Sequence, residues 1–346
     1  MPSARPRVPP TSGPPLRSPV AAPATRLTLV LGGGGLPGMG YLTGALQGLG
    51  EAGVSVDQPA VLLGTSAGGV VGALMRTGIA PSEIGARLLD AAHTRIPWAV
   101  NRLASYDLVR RIAGAAWVVQ RAALRVPLPP ACAPSWLTGG LLEAPTDLLG
   151  VQLCDPWPDG VLWLPTVDLV SGRRRVLGLR DTDRDTIPFP LAVQAAMAVP
   201  GLFPAVRIGR ELLTDGGVHS STNLDVAARR TAGPIVCIAP LGYDRDHPPP
   251  LGRRLLRARF QHRLDTEHRD ARDGRRPILV IRPGADQVRY AEPNFLRGRN
   301  MAPLIDAARA QTLELIHGPT GERFLANWAE LHNPSHDASR RATTKE

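Results

Sequence analysis

The stretch Arg26-Leu27-Thr28-Leu29-Val30-Leu31-Gly32-Gly33-Gly34-Gly35-Leu36-Pro37-Gly38 passes without transition from a short apolar run into four consecutive glycines. An apolar, partly β-branched run that stops at glycine reads as a buried strand feeding a tight turn. Beyond Gly38, Tyr41, Leu42, Ala45, Leu46 and Leu49 recur at helical spacing, and Gly50 and Gly53 suit the end of that helix. The same pattern then returns: Pro59 to Leu63 is apolar, Gly64 to Gly69 is a second tight turn, and Val70 to Met75 continues a second helix. Two successive strand-turn-helix units predict a mainly parallel sheet between helical layers, an α/β fold of three layers, α/β/α.

Working outward, residues 1–25 are rich in Pro, Ser, Ala and Arg and lack apolar periodicity, so they are expected to form a disordered arm. Residues of about 84–144, with scattered Trp98, Trp117 and Trp136, read as a mainly helical insertion, a lid or a packing layer. The α/β rhythm resumes with a hairpin, Val161 to Val170 and Arg173 to Leu179, then a short helix from Pro190 to Ala198. Strands are expected at Glu211 to Thr214, Ile235 to Ala239 and Ile278 to Arg282, with helices at Leu251 to Arg272 and Ala302 to Ile316. One catalytic domain over residues 26–330 and a flexible tail at 333–346 complete the expected organisation.

The 346 residues are 43% hydrophobic and 20% charged, the balance of a globular chain. The formal charge of +10 rests on arginine, Lys345 being the sole lysine, and aromatic residues at 4% argue against stacking platforms for nucleic acid. Nucleic acid is therefore not an expected partner. No window holds the unbroken apolar run of a membrane-crossing helix, and the arginines of the arm alternate with prolines in a way no secretory signal does. Cys132, Cys154 and Cys237 form neither a disulfide framework nor a zinc pattern. The expected location is cytoplasmic, with peripheral contact at a membrane as a further expectation. The arginine-rich segment from Leu251 to Arg276 is read as a core-packed helix with solvated charges in preference to a membrane-surface helix.

Gly64-Thr65-Ser66-Ala67-Gly68 is G-x-S-x-G between an expected strand and an expected helix, the context of a nucleophile elbow. Gly33-Gly34-Gly35-Leu36-Pro37-Gly38 fits G-x-G-x-x-G and has two readings. It can bind a dinucleotide, with Asp57 placed for a ribose, or offer Gly33, Gly34 and Gly35 as oxyanion-hole donors. The elbow serine on the adjacent strand favours the second. For a base, Asp215 ends an expected strand, and Gly216 and Gly217 let the chain turn sharply toward Ser66. His219 is the alternative, within a histidine-containing triad.

These motifs in this order resemble the patatin-like phospholipase family, with its G-G-G-x-x-G loop, G-x-S-x-G elbow and Asp-Gly-Gly motif. The resemblance runs from about Leu27 to Asn223 and includes Ala195 to Pro204, similar to an Ala-x-x-x-Pro-Gly-x-Phe-Pro segment, and Leu164 to Gly172, similar to a Thr-Asp-Leu-x-x-Gly turn. It implies a patatin-like fold and a serine esterase that cleaves fatty-acyl esters of lipids through a Ser66–Asp215 dyad and an acyl-enzyme. Gly33, Gly34 and Gly35 would form the oxyanion hole, with Gly38, Gly64, Gly68, Gly216 and Gly217 in support and no metal or cofactor. Pro37 departs from the pattern, standing where the family often has a basic residue. A histidine-triad hydrolase and a catalytically impaired lipid-binding protein are the remaining alternatives.

Overall fold

The computed structural model describes residues 27–93, 147–271, 276–291, 298 and 300–330. The expected N-terminal arm, residues 94–144 of the expected insertion and the expected tail lie outside the described residues.

β1 (Thr28–Leu31) leads into α1 (Gly35–Glu51), and β2 (Val61–Gly64) into α2 (Ala67–Arg76), the two units read from the glycine turns. α3 (Pro81–His93) follows, so residues 84–93 of the expected insertion belong to a helix whose Ile84 and Leu88 are buried in the core. Next come β3 (Val161–Asp168), β4 (Arg174–Leu177), α4 (Asp181–Thr186) and α5 (Phe189–Ala196). β5 (Val206–Ile208), β6 (Glu211–Asp215), α6 (Leu224–Arg230) and β7 (Ile235–Ile238) carry the chain to α7 (Leu251–Ala271). β8 (Ile278–Ile281), α8 (Ala285–Tyr290), α9 (Met301–His317) and α10 (Pro319–Glu330) complete the described elements.

The sheet runs β5-β6-β3-β2-β1-β7-β8, with β4 added on β3. β3, β2, β1, β7 and β8 are parallel, while β4 and β6 pair antiparallel with β3, and β5 with β6. Strand alternation explains the layers. Leu29 and Leu31 of β1 enter one apolar core with Leu42, Leu46 and Val71, whereas Val30 points the other way into a core with Leu63, Cys237, Leu224 and Leu264. A strand buried on both faces needs helices on both faces, and the protein is a mainly parallel α/β/α sandwich.

α1 lies against α9 unusually closely. A Cβ on Gly44 would fall 2.2 Å from the Ile305 carbonyl oxygen, and one on Gly48 would fall 2.6 Å from that of Arg309. Gly40, Gly44 and Gly48, four residues apart, thus form a smooth stripe on which the backbone of α9 rests.

The site depends most on how β3 is shared. Leu63 of β2 pairs with Trp163, while Asp215 of β6 pairs antiparallel with Thr166. Thr166 also pairs with Arg175 of β4, so β4 occupies the edge of β3 opposite β6. β2 and β6 therefore meet nearly end to end along one edge of β3, and the residues that follow β2 face the residue that ends β6.

Candidate active site

Ser66 sits between β2 and α2 at φ 54° and ψ −120°, a conformation that costs a non-glycine residue on the order of 1–3 kcal/mol. The packing around it leaves little alternative. A Cβ on Gly68 would lie 2.0 Å from the Leu31 carbonyl oxygen, and one on Gly64 would lie 2.4 Å from the Gly68 carbonyl oxygen. The two outer glycines of G-x-S-x-G are thus required by backbone-to-backbone contact across β1 and α2.

Asp215 ends β6 with its side chain buried. The Ser66 hydroxyl is a hydrogen-bonding neighbour of its carboxylate, and the Gly217 N–H donates to Oδ1 at 2.7 Å. Burial pushes the carboxyl up to about 6, overriding the lowering effect of these hydrogen bonds. Gly216 is pressed on β3, where a Cβ would stand 2.4 Å from the Pro165 carbonyl oxygen. That contact, together with the 3₁₀ turn over Gly216–Val218, turns the chain away at once and leaves the carboxylate facing Ser66.

The glycine loop is arranged differently from the expectation at one position. The Gly33 N–H donates to the Ser221 carbonyl oxygen at 2.8 Å, so it is occupied in the loop's own support. Gly34 and Gly35 open α1, and among the described residues their N–H groups have no hydrogen-bond acceptor, nor has that of Ala67, the first residue of α2. Two helix N-termini, each carrying partial positive charge, therefore flank Ser66.

α1 begins at Gly35 and not past Gly38, so Pro37 lies within its first turn, where a backbone N–H has no intrahelical partner to lose. Pro37 lines a small cavity behind the loop with Tyr41, Pro240 and Arg257, and is absent from the wall of the larger cavity in front. Pro240 supports the loop from that side, 3.1 Å from the position of a Cβ on Gly34. Arg257 in turn holds the Pro240 and Gly242 carbonyl oxygens at 2.6 and 2.9 Å.

The front cavity has a volume of about 280 Å³ and contains Ser66, Asp215, Gly34 and Gly35 in its lining. Leu36, Met39 and Val70 form one apolar wall, and Met197, Val199, Leu202 and Phe203 another. The second wall is the Ala195 to Pro204 segment. It is tied to β6, since Asp215 N–H and the Thr214 hydroxyl both donate to the Ala198 carbonyl oxygen, at 2.9 and 2.5 Å.

His219 stands on another side of the acidic turn, where Arg263 approaches its Nε2 at 3.0 Å. Among the described residues that line the front cavity with Ser66 and Asp215 there is no histidine. Asp57 is exposed ahead of the amino end of β2, whereas a ribose-binding carboxylate belongs at a strand's carboxyl end.

Two positioning groups escaped sequence reasoning. Asp168 accepts the N–H groups of Val170, Ser171 and Leu212, each at 3.1 Å, and the Ser171 hydroxyl at 2.6 Å, joining the β3–β4 turn to β6. Glu267 of α7, itself buried, accepts the Thr222 hydroxyl at 2.9 Å and the Leu224 N–H at 3.0 Å, fixing the loop after the acidic turn. The first lies within the Leu164 to Gly172 turn that had been singled out. The second comes from a distant helix and leaves no local signal.

Among solved structures, the crystal structure of VipD from Legionella pneumophila is similar at a TM-score of 0.40 and 15% sequence identity, covering 85% of this chain and 67% of that one. No curated protein matches the chain. The family model for patatin-like phospholipases matches residues 29–228, more than half of the chain, from within β1 through β6 and into α6. The chain therefore belongs to the patatin-like phospholipase family, whose activity is lipid acyl hydrolysis.

Proposed function

We propose that Ser66 is the nucleophile and Asp215 the sole general base of a lipid acyl hydrolase that works through an acyl-enzyme. The placing of the Ser66 hydroxyl beside the buried Asp215 carboxylate, in the lining of one apolar cavity, carries this reading. A carboxylate is ordinarily a poor base for an alcohol, but one whose affinity for a proton is raised by burial is better matched to the task. As Oγ attacks the ester carbonyl, Asp215 takes its proton, and the N–H groups of Gly34, Gly35 and Ala67 receive the developing oxyanion. Each such donor is worth ~3 kcal/mol in comparable sites.

Collapse of the tetrahedral intermediate expels the alcohol, which takes the proton from Asp215 and leaves the acyl group on Ser66. Water then gives a proton to the same carboxylate as it attacks the acyl ester, and collapse breaks the bond to Ser66 Oγ, which takes that proton back from Asp215 as the fatty acid is freed. The apolar walls of the cavity suit an acyl chain. Gly33, Gly38, Gly64, Gly68, Gly216 and Gly217 serve in this reading as backbone support. The test is turnover of a chromogenic fatty-acyl ester by Ser66→Ala and Asp215→Asn. Both should lose at least about a thousandfold in kcat while keeping their circular dichroism spectrum; near-normal turnover in either excludes the dyad.

A further inference from the structure

The front cavity is apolar except at one sector. Among the described residues that line it, Asp215 and Arg259 are the only charged ones. Arg259 comes from α7, is exposed at the rim, and donates from one terminal nitrogen to the Val218 carbonyl oxygen at 3.1 Å. Val218 closes the 3₁₀ turn that starts at Asp215, so this bond pins the guanidinium beside the acidic turn. The other guanidinium N–H groups have no acceptor among the described residues. A planar cation held by one carbonyl, with its remaining donors open, matches the oxygens of a phosphate.

The direction of the reaction places the alcohol half of the ester in the same sector. In the proposed cycle the departing oxygen collects its proton from Asp215, so the alcohol must leave on the Asp215 side. The acyl chain then occupies the apolar walls away from it. A charged substituent on that alcohol, a few bonds from the ester, therefore faces Val218 and Arg259.

We propose that Arg259 is a specificity-determining residue that binds the phosphate of the substrate headgroup, so that acyl esters bearing a phosphate near the ester are preferred over uncharged ones. The inference rests on the hydrolase reading of this cavity. Because Arg259 is exposed, water screens the pair and the preference is modest and salt-sensitive.

The test compares kcat/KM for dihexanoyl phosphatidic acid with that for dihexanoylglycerol, both below their aggregation concentrations, in the wild type, Arg259→Gln and Arg259→Lys. Melting curves check that each variant is folded. The expected result is a ratio favouring the phosphate ester that falls about tenfold in Arg259→Gln, less in Arg259→Lys, and also declines in the wild type as salt is raised. A ratio identical in wild type and Arg259→Gln overturns the assignment while leaving the hydrolase intact. Failure of the wild type to turn over either ester overturns the hydrolase reading, and this inference with it.

Discussion

Asn223 donates from Nδ2 to the Thr65 hydroxyl oxygen at 3.1 Å, which locks the residue before Ser66 to the loop that follows the acidic turn. The same amide nitrogen donates to the Ser220 carbonyl oxygen at 2.7 Å, and Oδ1 accepts from Arg174 at 3.0 Å. Asn223 is fully buried and left-handed, at φ 53°. The relative placement of Ser66 and Asp215 therefore depends on side-chain bonds behind them as well as on the two strand ends.

Asn223→Ala removes these buried bonds and imposes a less tolerant residue on a left-handed backbone, at an expected cost of about 2–4 kcal/mol. Asn223→Gly relieves the backbone alone and should recover only part of that. Urea unfolding of the three proteins checks the order; equal stability of wild type and Asn223→Ala contradicts it.

Catalysis that requires an ionised Asp215 rises with pH through about 6, the value to which burial lifts this carboxyl. The profile of kcat/KM for an uncharged ester should therefore climb tenfold per pH unit below that point and level off above it. A plateau extending down to pH 4.5 would exclude this carboxylate as the base.

The same shift has a cost to the fold. Asp215 holds its proton more tightly folded, at about 6, than at its ordinary 3.8, so its contribution to stability falls as pH rises between those values and stays low above them. Asp215→Asn keeps an acceptor for Ser66 and Gly217 without the buried charge. At pH 8 it should be more stable than the wild type, by up to about 3 kcal/mol, and the gain should disappear near pH 4. Melting temperatures at the two pH values measure this difference.

Gly68→Ala forces a methyl group to within 2.0 Å of the Leu31 carbonyl oxygen, backbone against backbone, where no side chain can swing aside. The expected loss exceeds about 3 kcal/mol. Gly252→Ala, where a Cβ meets nothing within 4 Å, serves as the comparison and should be neutral or slightly stabilising, being in a helix. Thermal melts of both variants decide the matter.

Much of this arrangement could be read from local pattern. Arg26 to Leu31, Pro59 to Leu63 and Ile235 to Ala239 read as short apolar runs, and each holds a strand whose ends fall within two residues of the expectation. Ser66 and Asp215 stand out in the sequence, the first because glycines lie two residues to either side of it and the second because two glycines follow it. β5, only Val206 to Ile208, is too short to show alternation, and α6 starts from a left-handed Asn223 that no helix signal announces. Which glycine N–H stays open was not legible, because Gly33 is occupied by Ser221, a residue remote in sequence. The orientation of Pro37 was hidden for a similar reason: α1 starts inside the glycine loop, which turns that residue toward Pro240 and Arg257. Arg259 reaches the cavity from a helix whose pattern favours packing and solvated charge over a membrane surface and gives no sign of a place in the site.

The central claim is that the Ser66 hydroxyl is activated by Asp215 alone. Its most direct measurement is intact-protein mass spectrometry after exposure to a fluorophosphonate, with the modified residue located by peptide mapping. The expected result is one adduct per chain, on Ser66, formed rapidly in the wild type and in His219→Ala and at least about a hundredfold more slowly in Asp215→Asn. Rapid labelling of Asp215→Asn, or loss of labelling in folded His219→Ala, would contradict the dyad.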